Sequence, residues 1–353
     1  MHVSPSFLCR LLRPVMPVLV MCGGLALMTS SQALIHGMPF PALAISTVKL
    51  SIQHEHYLRS MGTWEHYDSM CSAVIVGRQP LTLLTAAHCL REVKLTGPKE
   101  LPDVTIAQAQ SLGIEALHLR QAFYRPYEEV SEDVTKDIAI LVFDAALHGG
   151  IQPVRIHLKE KLPDALMICG YGRGYQEGDT RQPRCAERAL LRDLSDFYQV
   201  LPQTYEAMDE MLHIKSRAQF DYTKELVHAE KALLAVNRLG AQAQYAPDLA
   251  MPTVGDSGGP WMLLNARGQY ELVAITSLVE RFYNKSLHWS FFERDVPLSD
   301  FPYIAYGLKL NHPEVLGFLQ YARNSGADIQ FVLADPAWES EVTLPPEENP
   351  PVQ

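Results

Sequence analysis

Short apolar or alternating stretches, separated by polar turns, recur along most of the chain. Alternation with a period of two is typical of a strand that buries one face, and many short strands with turns between them indicate a sandwich or barrels. The stretches with this pattern are Ile45–Ile52, Cys71–Val76, Ile138–Phe143, Ala165–Cys169, Pro260–Leu264, Tyr270–Leu278 and Tyr303–Leu310. We therefore predict an all-β fold.

Helical spacing of apolar residues is found in two regions. Helix formers dominate between Cys185 and Ala250, and we predict one or two helices there. The residues that set this spacing are Tyr205, Met208, Leu212, Leu226, Leu233 and Val236. A C-terminal helix is predicted after Pro313, with Gly326 as its stop. The Pro- and Glu-rich residues 333–353 predict a disordered tail.

The N-terminus has the features of a secretory signal. Two arginines precede an apolar run from Val15 to Met28, which small and polar residues follow. The run is too short to span a bilayer, and the alternatives are a buried helix or lipidation at Cys22. We predict a signal peptide over residues 1–33 that is cleaved after Ala33. The mature protein would be secreted or periplasmic, with no stable membrane insertion.

Composition and charge narrow the classes of partner. Apolar residues make up 47% of the 353 residues, which is enough for a sizeable core. Without residues 1–33 the chain has 28 basic and 40 acidic side chains, a formal charge of −12. Such a charge disfavours binding to the phosphates of a nucleic acid, so no nucleic-acid partner is expected.

The predicted mature chain has four cysteines, an even number in a protein sent to an oxidising compartment. They are Cys71, Cys89, Cys169 and Cys185. Metal binding is the competing use, but no compact Cys-x-x-Cys spacing is present. Two disulfides are therefore predicted, in one of three pairings.

The most specific string of the chain is Gly-Asp-Ser-Gly-Gly-Pro at residues 255–260, directly before the apolar strand Trp261–Leu264. A serine that attacks a carbonyl must sit on a tight turn whose backbone N–H groups face the developing oxyanion, and glycines permit this approach. A hairpin turn of the same composition is the alternative.

Two further strings supply the groups that such a serine needs. His88 ends the apolar run Leu84–Cys89, and a neutral imidazole must remove the proton of a serine nucleophile. Asp137 directly precedes the apolar run Ile138–Leu141, and such a carboxylate can fix the tautomer of the histidine. Alone, each would more often be a structural residue.

The order His88, Asp137, Ser257 resembles the catalytic triad of the trypsin/chymotrypsin family of serine proteases. The resemblance implies two six-stranded antiparallel β-barrels with the active site in the cleft between them. His88 and Asp137 would come from the first barrel and Ser257 from the second. The domain would extend over residues 34–332. Compared with the family, it would have a helical insertion over about residues 190–240, and the helix after Pro313 would match the family's C-terminal helix.

The same resemblance implies further roles. The backbone N–H groups of Gly255 and Ser257 would form the oxyanion hole, and Ser277 would support the triad aspartate. Residues 170–172, Gly-Tyr-Gly, match the turn that opens the second barrel. Cys71–Cys89 would be the disulfide beside the catalytic histidine, and Cys169–Cys185 is predicted because these two cysteines flank one hairpin-like region.

Substrate-binding residues follow from the resemblance as Met251, Ser277 and Val279. Met251 stands at the floor of the specificity pocket, where a trypsin-like enzyme needs an aspartate, and Val279 stands on its wall. We therefore expect apolar or small side chains before the cleaved bond, because a buried Lys would be unpaired. Thr253 replaces a cysteine of many relatives, so the disulfide that braces this pocket is missing.

Cleavage after Ala33 would expose Leu-Ile-His-Gly at residues 34–37, which resembles the activated N-terminus of the family. The resemblance implies that the α-amino group of Leu34 pairs with Asp256 and so holds the oxyanion turn. The alternative is that Leu34 only begins a loose terminus.

No metal or cofactor is expected. His54 and His56 lie on one face of a predicted strand without the i, i+4 spacing of a zinc helix, and we predict that this face is solvated. An acidic group that could bind calcium is predicted to be exposed charge: Glu128, Glu129, Glu132 and Asp133.

The function implied by these residues is a secreted serine endopeptidase that cleaves protein or peptide substrates through an acyl-enzyme. The alternatives are a non-catalytic, protease-like binding protein and an esterase of the same fold. The sequence does not specify the oligomeric state.

Overall fold

The computed structural model of the protein describes residues 37–39, 46–58, 60–96, 100–109, 113, 117–147, 151–172, 182–191, 231–236, 251–281 and 303–332. Strands dominate this part of the chain. They are β1 (Met38–Pro39), β2 (Thr47–Leu58), β3 (Thr63–Arg78), β4 (Leu81–Thr85), β5 (Leu95–Thr96), β6 (Leu101–Pro102), β7 (Val104–Ile106), β8 (Leu119–Phe123), β9 (Ala139–Phe143), β10 (Arg155–His157), β11 (Ala165–Gly170), β12 (Arg184–Leu191), β13 (Ala232–Val236), β14 (Pro260–Leu264), β15 (Tyr270–Arg281), β16 (Tyr303–Lys309) and β17 (Phe331–Val332). The helices are α1 (Tyr127–Glu132) and α2 (Pro313–Asn324), and 3₁₀ turns cover Ala87–Leu90 and Val134–Lys136.

The first barrel is a curled six-stranded antiparallel sheet in the order β7-β2-β3-β4-β9-β8. Its inward-facing residues, among them Leu50, Ile75, Leu83 and Leu141, are fully buried. Burial alternates along β2 from Leu50 to His54, which agrees with the period-two pattern of the sequence. The predicted strands of this half of the chain are confirmed.

The second barrel closes on itself through six strands in the order β14-β11-β12-β13-β16-β15, because β15 pairs in turn with β14. Three further strands extend this sheet. Strand β1 pairs antiparallel with β12, and β10 pairs parallel with both β15 and β17. Trp261 is buried inside, against Gly307, where an added Cβ would come within 2.7 Å of the indole ring. The all-β prediction of two barrels is confirmed.

A shared core joins the two barrels. Val74 and Ile140 of the first barrel belong to the same buried cluster as Met262 and Leu308 of the second. Helix α2 packs on this cluster through its buried face, which consists of Val315, Leu316, Leu319 and Ala322. The predicted C-terminal helix is therefore confirmed, and it ends before Gly326, whose φ is +105°.

The predicted helical insertion needs a correction at its C-terminal end. Residues Ala232–Val236 form strand β13, which pairs with β12 on one side and with β16 on the other. The five apolar residues have no polar face, and backbone pairing on both edges outweighs the helical spacing of Leu233 and Val236. At the other end, the insertion begins later than predicted, because strand β12 continues to Leu191. The rest of the predicted insertion, residues 192–230 and 237–240, lies outside the described residues.

The predicted signal peptide, residues 1–33, and the predicted tail, residues 333–353, also lie outside the described part of the chain. Within the described part, no helix is both long enough and apolar enough to cross a membrane.

Candidate active site

His88 lies where strand β4 of the first barrel passes into the 3₁₀ turn Ala87–Leu90. The next residue, Cys89, forms a disulfide with Cys71 of strand β3, which ties this turn to the neighbouring strand. The His88 side chain is 30% exposed. The imidazole is thus fixed at its base and open to solvent on one side.

Asp137 is buried directly before strand β9, which pairs with β4 so that Thr85 lies opposite Ala139. The Nδ1–H of His88 donates to the Asp137 carboxylate, at 2.9 Å from Oδ2 and 3.0 Å from Oδ1. The backbone N–H of His88 donates to Oδ1 at 2.9 Å, and the Ser277 hydroxyl donates to Oδ2. Donors from both barrels therefore compensate the burial of this carboxylate.

This arrangement changes the pKa values of the two groups in opposite directions. Burial disfavours imidazolium, but the charge of Asp137 and its hydrogen bond outweigh burial and raise the pKa of His88 above its usual value near 6.5. Burial also disfavours the Asp137 carboxylate, but the charge of His88 and the hydrogen bonds from His88 and Ser277 lower the pKa of Asp137. Asp137 is therefore ionised at neutral pH.

Ser257 lies on a glycine-rich turn that contacts the first barrel. Gly255 and Gly258 have φ angles of +94° and +77°, and an added Cβ at Gly258 would come within 2.2 Å of Thr85 Oγ1. The Ser257 carbonyl accepts a hydrogen bond from the backbone N–H of Ser72 at 2.8 Å. The same carbonyl oxygen lies 4.0 Å from the Sγ of Cys89, so the turn reaches the disulfide beside His88.

The backbone N–H groups of this turn fall into two sets. Three of them donate to backbone carbonyls: Asp256 N–H to Thr253 at 3.0 Å, Gly258 N–H to Thr276 at 2.7 Å, and Gly259 N–H to Asp256 at 2.8 Å. Within the described ranges, neither the N–H of Gly255 nor that of Ser257 donates to another residue.

Asp256 is fully buried beneath the turn. Its carboxylate accepts from the N–H of Gly172 at 2.6 Å and from the N–H of Thr253 at 2.8 Å. An added Cβ would come within 2.1 Å of this carboxylate at Gly170 and within 2.5 Å at Gly172. Residues 170–172 therefore wrap around the carboxylate, and both glycines are needed for that approach.

The predicted N-terminal residue Leu34 lies outside the described residues, but the chain shortly after it is described. Met38 pairs with Cys185 of β12, and the Gly37 carbonyl accepts a hydrogen bond from Arg184. Cys185 forms the predicted disulfide with Cys169, the residue before the turn at 170–172. Both predicted disulfides are thus present.

The three predicted substrate-binding residues occupy different surroundings. Met251 is fully buried in a cluster with Trp261 and Ala274, and Val279 packs against the same cluster. Ser277 is buried and directs its hydroxyl to Asp137, which makes it a support of the carboxylate. Thr253 is buried and holds Asp256 through its backbone N–H.

The prediction of a solvated face at His54 is wrong, because this side chain is 5% exposed. Its Nδ1–H donates to the Arg91 carbonyl at 2.7 Å, its Nε2 accepts from the Ser69 hydroxyl at 2.6 Å, and its ring stacks on Tyr67. The backbone of residues 92–94 covers this end of the hairpin. No group of three or more potential metal ligands occurs among the described residues.

Sequence reasoning missed Ser72 and the backbone N–H groups of Gly172 and Thr253. Ser72 and Gly172 contact residues that lie 183 and 84 positions away in the sequence, whereas the N–H of Thr253 donates to Asp256, three residues later. No local pattern marks such contacts, although Ser72 does follow directly after the predicted disulfide residue Cys71.

Two packed β-barrels, with a His-Asp pair in the first and a Gly-Asp-Ser-Gly turn from the second, define a chymotrypsin-like protein. Residues 47–194 match the model of the Trypsin family, a stretch that contains His88 and Asp137 and ends before Ser257. Together with the two barrels, this match supports the trypsin/chymotrypsin-like serine protease family for this part of the chain. No curated protein matches the chain.

Proposed function

We propose that this protein is a secreted serine endopeptidase in which Ser257, His88 and Asp137 form the catalytic triad. The observation that carries the proposal is the buried Asp137 carboxylate, which receives the Nδ1–H of His88 at 2.9 Å, the His88 backbone N–H and the Ser277 hydroxyl. A carboxylate held in this way fixes the imidazole with Nε2 as the proton acceptor.

In the proposed reaction, Ser257 Oγ attacks the substrate carbonyl while His88 Nε2 takes its proton. The oxyanion of the tetrahedral intermediate accepts hydrogen bonds from the N–H groups of Gly255 and Ser257, which have no other acceptor among the described residues. His88 then protonates the leaving amine, and an acyl-ester on Ser257 forms. Water, activated by His88, hydrolyses this ester and restores the enzyme.

Protein or peptide substrates with an apolar or small residue before the cleaved bond fit the surroundings of Met251 and Val279. Both residues belong to an apolar cluster, and Met251 is fully buried. A cationic side chain placed there would be desolvated without a partner. A positional peptide library in which Arg or Lys dominates would contradict this specificity.

Export follows from the predicted cleavage after Ala33 and agrees with the disulfides Cys71–Cys89 and Cys169–Cys185. Structural disulfides persist in oxidising compartments outside the cytosol. The proposed location is therefore extracellular or periplasmic.

The main alternative is a non-catalytic binding protein built on the same fold. Loss of a triad residue is what such a protein would be expected to show, whereas His88, Asp137 and Ser257 are all present in this chain. An esterase would use the same triad, and the substrates cleaved would distinguish it from a peptidase.

Labelling with a fluorophosphonate probe tests the proposal. We expect the wild-type protein to be labelled at Ser257 and the variants Ser257→Ala and His88→Ala to be labelled at background level. The double variant should lose little more turnover than either single variant, because the triad acts as a unit. Equal labelling of wild type and Ser257→Ala, or labelling of neither, would contradict the assignment.

A further inference from the structure

Ser72 is fully buried on strand β3 of the first barrel, and its polar atoms have partners in both barrels. Its hydroxyl donates to the Gly255 carbonyl at 2.9 Å and accepts from the Tyr171 N–H at 2.8 Å. Its backbone N–H donates to the Ser257 carbonyl at 2.8 Å. Its carbonyl accepts from the Thr85 hydroxyl at 2.8 Å.

These partners are the parts of the proposed active site that must be aligned with each other. Gly255 and Ser257 carry the two N–H groups of the proposed oxyanion hole. Tyr171 lies in the turn that wraps around the Asp256 carboxylate, and Thr85 ends the strand that leads to His88. One serine therefore contacts the nucleophile turn, the turn beneath it and the strand before the histidine.

We propose that Ser72 is a positioning residue that fixes the Gly255–Ser257 turn in the orientation that stabilises the oxyanion. This inference rests on the proposed function and deepens it. Two of the three carbonyls of this segment, those of Gly255 and Ser257, accept hydrogen bonds from Ser72, one from its side chain and one from its backbone.

The physical reason lies in the freedom of the turn. Gly255 and Gly258 have positive φ angles and no Cβ, so their peptide planes can rotate at a low energetic cost. Rotation of one plane would turn an N–H away from the oxyanion. Since a displacement of about 1 Å can cost about 100-fold in rate, a hydrogen bond that restrains the turn affects turnover.

A purely structural role for the Ser72 hydroxyl is the competing explanation, and Thr82 supplies a matched control. Thr82 is also fully buried in the first barrel. Its hydroxyl donates to the Pro80 carbonyl at 3.0 Å and accepts from the Asp328 N–H at 3.0 Å. Ser72→Ala and Thr82→Val therefore remove the same two kinds of hydrogen bond, but only the first variant releases the nucleophile turn.

The experiment measures the steady-state hydrolysis of p-nitrophenyl acetate by mature wild-type protein, Ser72→Ala and Thr82→Val, together with the melting temperature of each. We expect Ser72→Ala to lower kcat by about 10- to 100-fold with little change in KM, and Thr82→Val to keep a rate near that of the wild type. The midpoint of the acid limb of the pH profile should stay unchanged in Ser72→Ala, because the His88–Asp137 contact is retained. Ser72→Thr, which keeps the hydroxyl, should recover much of the rate.

Equal slowing of Ser72→Ala and Thr82→Val would overturn the inference, as would a wild-type rate in a folded Ser72→Ala protein. If Ser72→Ala does not fold, Ser72→Gly removes the same hydroxyl and takes its place. A wild-type protein that neither the ester nor the fluorophosphonate modifies would instead refute the proposed function.

In that case, amide hydrogen exchange over residues 251–260 tests the positioning role of Ser72 without any activity. Faster exchange in Ser72→Ala, but not in Thr82→Val, supports positioning of the turn, and unchanged exchange in Ser72→Ala overturns it.

Discussion

The Ser277 hydroxyl donates a hydrogen bond to Oδ2 of Asp137, a residue 140 positions earlier in the sequence. Ser277 belongs to strand β15 of the second barrel, and Asp137 precedes strand β9 of the first. The same carboxylate oxygen accepts the Nδ1–H of His88 at 2.9 Å. The position of the imidazole therefore depends on how the two barrels pack.

Replacement of this hydroxyl should lower the proposed peptidase activity without abolishing it. In Ser277→Ala the Asp137 carboxylate keeps both donors from His88 but loses one charge-assisted hydrogen bond. Such bonds are worth about 1.5 to 3 kcal/mol, so we expect kcat on a peptide substrate to fall by about 10-fold or somewhat more. Ser277→Thr keeps the hydroxyl and serves as the control. Unchanged kcat in a folded Ser277→Ala protein would show that this bond has no part in turnover.

The pH dependence of kcat/KM should reflect the raised pKa of His88. The proposed general base must be neutral, so activity is low where imidazolium predominates and rises with increasing pH. Because the charge and the hydrogen bond of Asp137 raise the pKa of His88, the midpoint of the acid limb should lie above the usual value near 6.5.

Asp137→Asn removes the charge that raises the pKa of His88, and it should therefore shift this midpoint to lower pH. Its kcat should also fall by about 10⁴-fold, because the amide favours the wrong tautomer of the imidazole. A wild-type midpoint at or below 6.5, with no shift in Asp137→Asn, would contradict the contribution of Asp137.

The free N-terminus should control activity through Asp256. Cleavage after Ala33 would give Leu34 an α-amino group with a reference pKa of about 7.7 to 8.0, which is charged at neutral pH. We expect mass spectrometry of the secreted protein to find Leu34 first, and one added residue before Leu34 to reduce activity sharply. Asp256 itself is held by the N–H groups of Gly172 and Thr253. Equal activity of the extended form would refute pairing of the amine with Asp256.

The buried Glu271 of the second barrel should contribute strongly to stability. Its carboxylate accepts from His157 Nδ1–H at 2.7 Å and from the Asn265 amide at 2.6 Å. Glu271→Ala would leave these donors without an acceptor, so we expect the free energy of unfolding at pH 7 to fall by about 3 kcal/mol, measured by urea denaturation.

Acid should weaken the same contact. Burial alone would raise the pKa of Glu271, but hydrogen bonds from Asn265 and His157 and the charges of His157 and Arg155 lower it. A lowered pKa gives stability that is complete above the ordinary glutamate pKa of about 4.3 and is lost as the pH falls through the folded-state value. Glu271→Gln should therefore lose less stability than the wild type between pH 5 and about pH 3, and equal losses would contradict this contribution.

The sequence by itself determined the class of fold and the candidate residues of the site. Strand β2 was predictable because burial of one face leaves a period-two pattern, and β14 because it is a short continuous apolar run after a turn. Helix α2 was predictable because its apolar residues share one side. The strings around His88, Asp137 and Ser257 are informative because each chemical role requires particular neighbours within a few residues.

The tertiary structure decided which distant groups meet. Strand β13 resembled a helix in sequence, and it became a strand because β12 and β16 offered it partners on both edges. His54 was predicted to be solvated because it belongs to a polar strand. It is buried instead, and the Arg91 carbonyl and the Ser69 hydroxyl supply hydrogen-bond partners for its two ring nitrogens.

Ser72 shows the same limit at the proposed active site. A serine in a buried strand has no local signature for its partners, and its hydroxyl is directed by Gly255, which lies 183 positions later in the chain. Contacts of this kind arise only when the two barrels pack together. Local periodicity therefore predicts elements and reactive residues, whereas the buried hydrogen bonds that hold those residues in place depend on non-local packing.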